Sequence, residues 1–225
     1  MIKIENVVLP SPDQWDAIIR GMRNPKNSWH KSDSYATHIA DNNTLETTDY
    51  EYFVGEKDLG LMERLAVGGP VHAKYRRMMV VFLDITAPLY WWKEFDTYKV
   101  GTVANSCSTM HKIQEKEFTL DDFSHEHLTP LSLEAFNKMI DYLEANRKMF
   151  LALEGQEAKD SWWQMIQLLP SSYNQKRTVM LNYEVLVGMY KWRKNHKLDE
   201  WCEFCEWIEL LPYSELITGK KAENE

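Results

Sequence analysis

The sequence predicts an α+β domain in which helices pack on a small central sheet. Three observations carry this. Several stretches place apolar residues three and four apart, the spacing of a helix with one buried face. Met78–Thr86 is almost wholly apolar and β-rich, which marks a strand. No internal repeat and no Gly/Ser/Pro linker divides the 225 residues. Residues 1–212 therefore read as one domain and 213–225 as a polar C-terminal tail.

Lys3–Leu9 opens the chain as a strand, with Ile4, Val7 and Val8 apolar. Ser11 can cap the helix that follows, and Pro12 suits its first position, where a missing N–H costs nothing. Trp15, Ile18, Ile19 and Met22 form that helix's apolar face. Residues 24–52 are polar and lack apolar periodicity, which predicts a long functional or partly mobile loop. Asp58–Val67 is a short helix ended by Gly68-Gly69. Met78–Thr86 does not alternate, so it is expected at the sheet centre with both faces buried. Pro88 starts a helix carrying Leu89, Trp91, Trp92 and Phe95, and residues 96–112 form a polar segment. Leu131–Glu154 is the clearest helix, with Ser132 as its cap and Leu133, Phe136, Ile140 and Leu143 in one stripe. Lys159–Leu169 is helical and stops before Pro170. Thr178–Leu181 fits a strand or a helix start. Tyr183–Lys194 and Leu198–Leu211 are two more helices, and the tail after Pro212 is expected to fray.

With 26 basic against 34 acidic residues, the net charge is -8. That argues against non-specific binding of nucleic acid or anionic membranes, which draws on excess Lys and Arg. No apolar run reaches the roughly 18 residues of a membrane helix. The first residues show no signal-peptide core, so a reducing cytoplasm is expected. Nine Trp and eleven Tyr supply flat apolar surface for a core and for stacking planar ligands. Three cysteines, Cys107, Cys202 and Cys205, make no disulfide framework. Cys202 and Cys205 have CxxC spacing but no second pair, and they lie inside a predicted helix beside Trp201 and Trp207; buried core thiols fit better than zinc ligands. His125-Glu-His127 could pair on a metal, though a solvated loop explains it as well. No metal site is expected. No dinucleotide-binding glycine motif, P-loop or nucleophile elbow occurs.

The informative stretch is Gly69–Lys112. His72 opens it, the apolar strand follows, Ala87-Pro88 leads into an aromatic helix, and a loop dense in Asn, Ser and Thr closes it. Short polar side chains on such a loop can hydrogen-bond a heterocycle or phosphate. The order of these elements resembles the flavin-dependent thymidylate synthases. In that family a Gly-His segment precedes a strand, an Ala-Pro helix start, an Arg-Gln pair, an Arg-His-Arg triplet and a loop ending Asn-Glu-x-Ser-x-Arg-Tyr. Here His72 matches the flavin-contacting histidine, and Ala87-Pro88 the helix start. Lys93-Glu94 stands at the pair and Thr97-Tyr98-Lys99 at the triplet. Asn105-Ser106-Cys107-Ser108 stands at Asn-Glu-x-Ser, with the loop one residue longer. A second block follows the same order: Leu169-Pro170, Asn182 twelve residues past the proline, and Arg193 eleven beyond that.

The resemblance implies the family's α+β fold, a homotetramer with sites between subunits, and one-carbon transfer to C5 of a pyrimidine nucleotide such as dUMP. It implies FAD, with NADPH and methylenetetrahydrofolate as co-reactants. It assigns Arg193 to catalysis and the pyrimidine. His72, Tyr98, Asn105 and Asn182 would line the flavin site. Glu94, Lys99 and Ser108 would contact the nucleotide. The departures matter equally. The triplet has lost both arginines and its histidine, Ser106 replaces an acid, and Met110 and Ile166 replace arginines that would hold phosphate. Lysine is a point charge and only partly substitutes for the bidentate guanidinium. A homologue that binds or sequesters a nucleotide without catalysis is therefore the alternative, and a changed one-carbon acceptor is a third reading.

Overall fold

The computed structural model describes residues 2–39 and 49–220. Its strands are β1 (Lys3–Val8), β2 (Tyr35–Ile39), β3 (Asp49–Phe53), β4 (Val80–Pro88), β5 (Val103–Ser106) and β6 (Asn174–Asn182). Its helices are α1 (Pro12–Arg23), α2 (Glu56–Val67), α3 (Leu89–Phe95), α4 (Pro130–Ala152), α5 (Gly155–Leu168), α6 (Tyr183–Arg193), α7 (Asp199–Glu209) and α8 (Glu215–Thr218). The central sheet is antiparallel with strand order β1-β4-β6-β5, and β2 pairs with β3 as a separate hairpin.

One face of the sheet carries the main core. Val81, Leu83, Ile85 and Ala87 of β4 and Val179 and Leu181 of β6 meet Trp91, Trp92, Phe95, Leu186, Met189, Trp201 and Phe204. A smaller core under the α4–α5 pair holds Phe118, Phe123, Ile140, Leu143 and Met165. The start of α1 follows its sequence signal. Ser11 Oγ accepts from Gln14 N, and the Gln14 side chain accepts from Ser11 N at 2.8 Å, a reciprocal cap.

Several expectations are corrected. β4 is central but buried on one face only, and Phe82 is 46% exposed. In an antiparallel sheet helices need cover only one side, and apolar residues on the other rest on cross-strand neighbours. Residues 24–52 contain β2 and β3, where Tyr35 and Phe53 stack with ring centroids 5.6 Å apart; residues 40–48 lie outside the described residues. The polar segment 96–112 contains β5, and β6 extends well before Thr178. Thr129, not Ser132, caps α4: its Oγ1 accepts from Ser132 N at 3.3 Å, with Pro130 in the first turn. The described part of the tail, residues 213–220, contains α8, because Leu216 and Ile217 are buried in the main core. Among the described residues, no helix is long and apolar enough to cross a membrane.

Candidate functional site

The site is built where β6 runs into α6. Asn182 ends the strand and caps the helix, its Oδ1 accepting from Val185 N at 3.1 Å. Its Nδ2 has no acceptor among the described residues. Asn182 lines a cavity of about 520 Å³ together with Arg77, Tyr98, Gly101, Glu184 and Gly188. Gly101 has φ +85°, which favours glycine. A Cβ there would lie 2.9 Å from Val185 Cγ2 and 3.1 Å from Asn182 Nδ2. Glycine thus keeps both the turn and the wall of the cavity.

Arg193 sits one helix length away, at the end of α6. Its Nε donates to the Tyr98 hydroxyl at 2.9 Å, and its Nη1 donates to Glu94 Oε2 at 2.5 Å. The same carboxylate oxygen accepts from Trp201 Nε1 at 3.0 Å and lies 3.4 Å from His196 Nε2. The guanidinium rests over the Trp201 ring, 4.8 Å from its centroid. Arg193 is therefore neutralised in an aromatic slot, with 17% of its side chain exposed. Tyr98 joins the slot to the cavity. Its oxygen accepts from Arg193, which leaves its O–H free to donate.

Tyr98 thus lies beside Asn182 in the cavity wall and also bonds Arg193, whose partner Glu94 is 99 residues away in sequence. The others lie elsewhere. Asn105 is exposed on β5 opposite Thr178, four residues along β6 from Asn182 and so about 13 Å away. Ser108 is exposed and accepts from His111 N at 3.0 Å. Cys107 N bonds Lys176 O, which puts this loop about 20 Å from Asn182 along the strand. His72 is exposed in the turn after α2 and lies outside the cavity lining, and Lys99 is exposed. Arg193, which the resemblance assigns to the pyrimidine with Ser108 as a further nucleotide contact, turns toward neither Ser108 nor Asn182. Glu94 and Tyr98 hold it instead, because a guanidinium in a partly desolvated slot needs a carboxylate.

Sequence reasoning missed Arg77, Gly101, His196 and Trp201. Only Gly101 carried a signal, a lone glycine between Val100 and Thr102. Of the CxxC pair, Cys205 is buried and its thiol is pushed up to about 12 by desolvation. Cys202 is only half-buried, its Sγ donating to His196 O at 3.4 Å. His125 Nδ1 bonds Phe123 O at 2.8 Å, and His127 Nε2 lies 2.9 Å from Asp199 Oδ2.

No protein-family model matches the chain, and no curated protein matches it in sequence. Solved structures do match in fold. Thymidylate synthase X from Helicobacter pylori, solved with FAD and dUMP, aligns with a TM-score of 0.60 at 14% identity over 97% of each chain. A second structure of that protein with the same ligands gives 0.59 at 14% over 96% of each chain. A UMP/dUMP methylase, PolB, from Streptomyces cacaoi, bound with 5-Br dUMP, gives 0.59 at 13%, covering 97% of this chain and 95% of its own. The chain therefore has the flavin-dependent thymidylate synthase-like fold from end to end.

Proposed function

We propose that the chain is a divergent flavin-dependent thymidylate synthase-like protein that binds a pyrimidine nucleotide and transfers a one-carbon unit to its C5. The observation that carries this is the cavity at the start of α6. It presents an unpartnered amide from Asn182 and a free hydroxyl from Tyr98 beside an arginine in a fold shared over its whole length.

The residues fit one planar heterocycle. The volume lies within the ~300–1,000 Å³ of small-molecule sites, and Gly101 keeps the wall open. FAD, when bound, supplies the reducing equivalents. Asn182 and Tyr98 would donate to its ring, with His72 and Asn105 completing the site from another copy in a homotetramer. Arg193 would stabilise negative charge developing on the pyrimidine, because a fixed cation aimed at such charge lowers the barrier. To do so it exchanges a Glu94 hydrogen bond for one to the ligand. Glu94, Lys99 and Ser108 are the remaining nucleotide contacts. Methylenetetrahydrofolate and NADPH are the co-reactants this chemistry calls for, and a cytoplasmic setting supplies them.

A second reading, a nucleotide-binding homologue without catalysis, is favoured by the Arg193–Glu94 pair, which cancels the charge that catalysis needs. Loss of the phosphate-holding arginines points the same way. The test has two stages. A flavin absorption band in the purified protein, or its appearance on adding FAD, supports cofactor binding. Release of tritium from C5-labelled dUMP or UMP, with methylenetetrahydrofolate and reductant, then supports transfer. Nucleotide binding without tritium release favours the second reading, and neither flavin nor nucleotide binding overturns both.

A further inference from the structure

A different cavity, of about 470 Å³, lies between the end of α1, the turns that follow it, and α2. Arg23, Lys26, Ser28, Lys31, Lys57 and Arg64 line it, and its wall holds no carboxylate. In a chain of net charge -8, that concentration of cations stands out. Arg23 is buried. It is paired with Asp58 at 2.5 Å and donates to Ser28 O, Ser28 Oγ and Lys31 O. These bonds fix the loop that carries Lys26 and Lys31. The Asp58 carboxylate is buried, and both it and that of Asp33 are engaged by hydrogen bonds. Asp58 also accepts from the Ser32 and Ser34 hydroxyls, and Asp33 accepts from the backbone N–H groups of Lys57 and Asp58. Lys26, Lys31, Lys57 and Arg64 are exposed, and their side chains have no partner among the described residues.

We infer that this cavity binds an oligophosphate, an anion of three or four charges such as a phosphate chain or the triphosphate of a nucleotide. Four unpaired cations around one concavity match that charge, and the buried Arg23–Asp58 pair holds two of them in place. The cations ring one open concavity and do not run on as a basic stripe, which disfavours a nucleic-acid strand. The inference is independent of the α6 site, since the two cavities share no residue.

Calorimetric titration of the full chain tests it, using sodium tripolyphosphate, orthophosphate, a nucleoside triphosphate and a single-stranded oligonucleotide. Tripolyphosphate should bind one-to-one, at least about tenfold tighter than orthophosphate, and weaken as salt is raised. Lys31→Ala with Lys57→Ala should lower that affinity at least about tenfold while the melting midpoint stays at the wild-type value. Lys26→Ala alone should lower it by a smaller factor. Tighter binding of the nucleoside triphosphate than of tripolyphosphate identifies a nucleotide as the source; equal binding identifies the phosphate chain. Absence of tripolyphosphate binding at millimolar concentration, indifference to the lysine substitutions, or tighter binding of the oligonucleotide would each overturn the inference.

Discussion

Arg193 shows how a single side chain is read differently by sequence and by structure. Spacing from Pro170 and Asn182 singled it out, and the resemblance assigned it to catalysis and the pyrimidine. In the fold it is mostly buried, bonded to Glu94 and Tyr98, and stacked on Trp201. Glu94 lies 99 residues away in the chain, so no local pattern could reveal the pair. Arg193→Ala leaves Glu94 without its cation and the Tyr98 oxygen without its donor, and we expect a stability loss of about 1–3 kcal/mol by denaturant unfolding. Arg193→Lys should recover only part of it, because an ammonium cannot serve Glu94 and Tyr98 with the same fork. A variant as stable as the wild type would show that the slot is not structural. The cysteines give a second prediction at this scale. Burial holds the Cys205 thiol near 12, so it stays protonated and unreactive at neutral pH. Exposed Cys107 should be alkylated first, half-buried Cys202 more slowly, and Cys205 only on unfolding. Mass spectrometry of time-resolved alkylation reads the order, and early labelling of Cys205 would contradict it.

Strands and turns hold the next level of evidence. β1 and α1 were legible because a period, a cap and a proline all agree within a dozen residues. β5 and the hairpin β2–β3 were not, since polar strands on an exposed edge satisfy their backbone by pairing and bury little. The outer face of β4 carries a polar rung. Asp84 accepts from Thr178 on β6 at 2.6 Å and from Asn6 at 2.9 Å, and lies 3.1 Å from Lys176. The Thr178 hydrogen bond, then those of Asn6 and Lys176, hold its carboxyl at about 2, below the usual carboxylate range. A depressed folded value means the stabilisation is present above the unfolded value near 4 and is lost as pH falls toward 2. Asp84→Asn should therefore flatten the acid limb of the stability curve between about pH 4 and 2. An unchanged limb in denaturant titrations would remove Asp84 from the acid response. At the neighbouring turn, Gly101→Ala places a methyl against Val185 and Asn182 at positive φ. We expect a loss of roughly 1 kcal/mol or more in stability and weaker binding of any ligand in that cavity. Flavin fluorescence quenching measures the second effect, and full retention of both properties would show that the turn tolerates the group.

The whole molecule poses the question that no single chain answers. Sequence order placed Asn105, Ser108, Tyr98, Asn182 and Arg193 in one motif series, and the fold divides them. Tyr98 and Asn182 share the cavity at the start of α6 and Tyr98 bonds Arg193 at its end, while Asn105 and Ser108 lie down the β5–β6 ladder, about 13 and 20 Å from Asn182 along the strand. Linear motifs carry identity but not the rotation that returns one end of a sheet to the other, so this division was invisible before the fold. If the halves serve one ligand, they come from different copies. We therefore expect more than one copy per particle by light scattering, four if the proposed assembly holds, and complementation between subunits. Asn182→Ala damages one half and Asn105→Ala with Ser108→Ala the other; each homogeneous variant should retain little flavin. Co-expressed in one cell, the two variants assemble at random, and some interfaces then join the intact half of each. Flavin retained per chain should rise above both parents, toward about a quarter of the wild-type value if every site draws one half from each of two chains at random. A monomer that binds flavin with full affinity, or a mixture no better than its parents, would overturn the division of the site between copies, and full flavin retention in the Asn105/Ser108 variant would leave the β5 loop without a part in it.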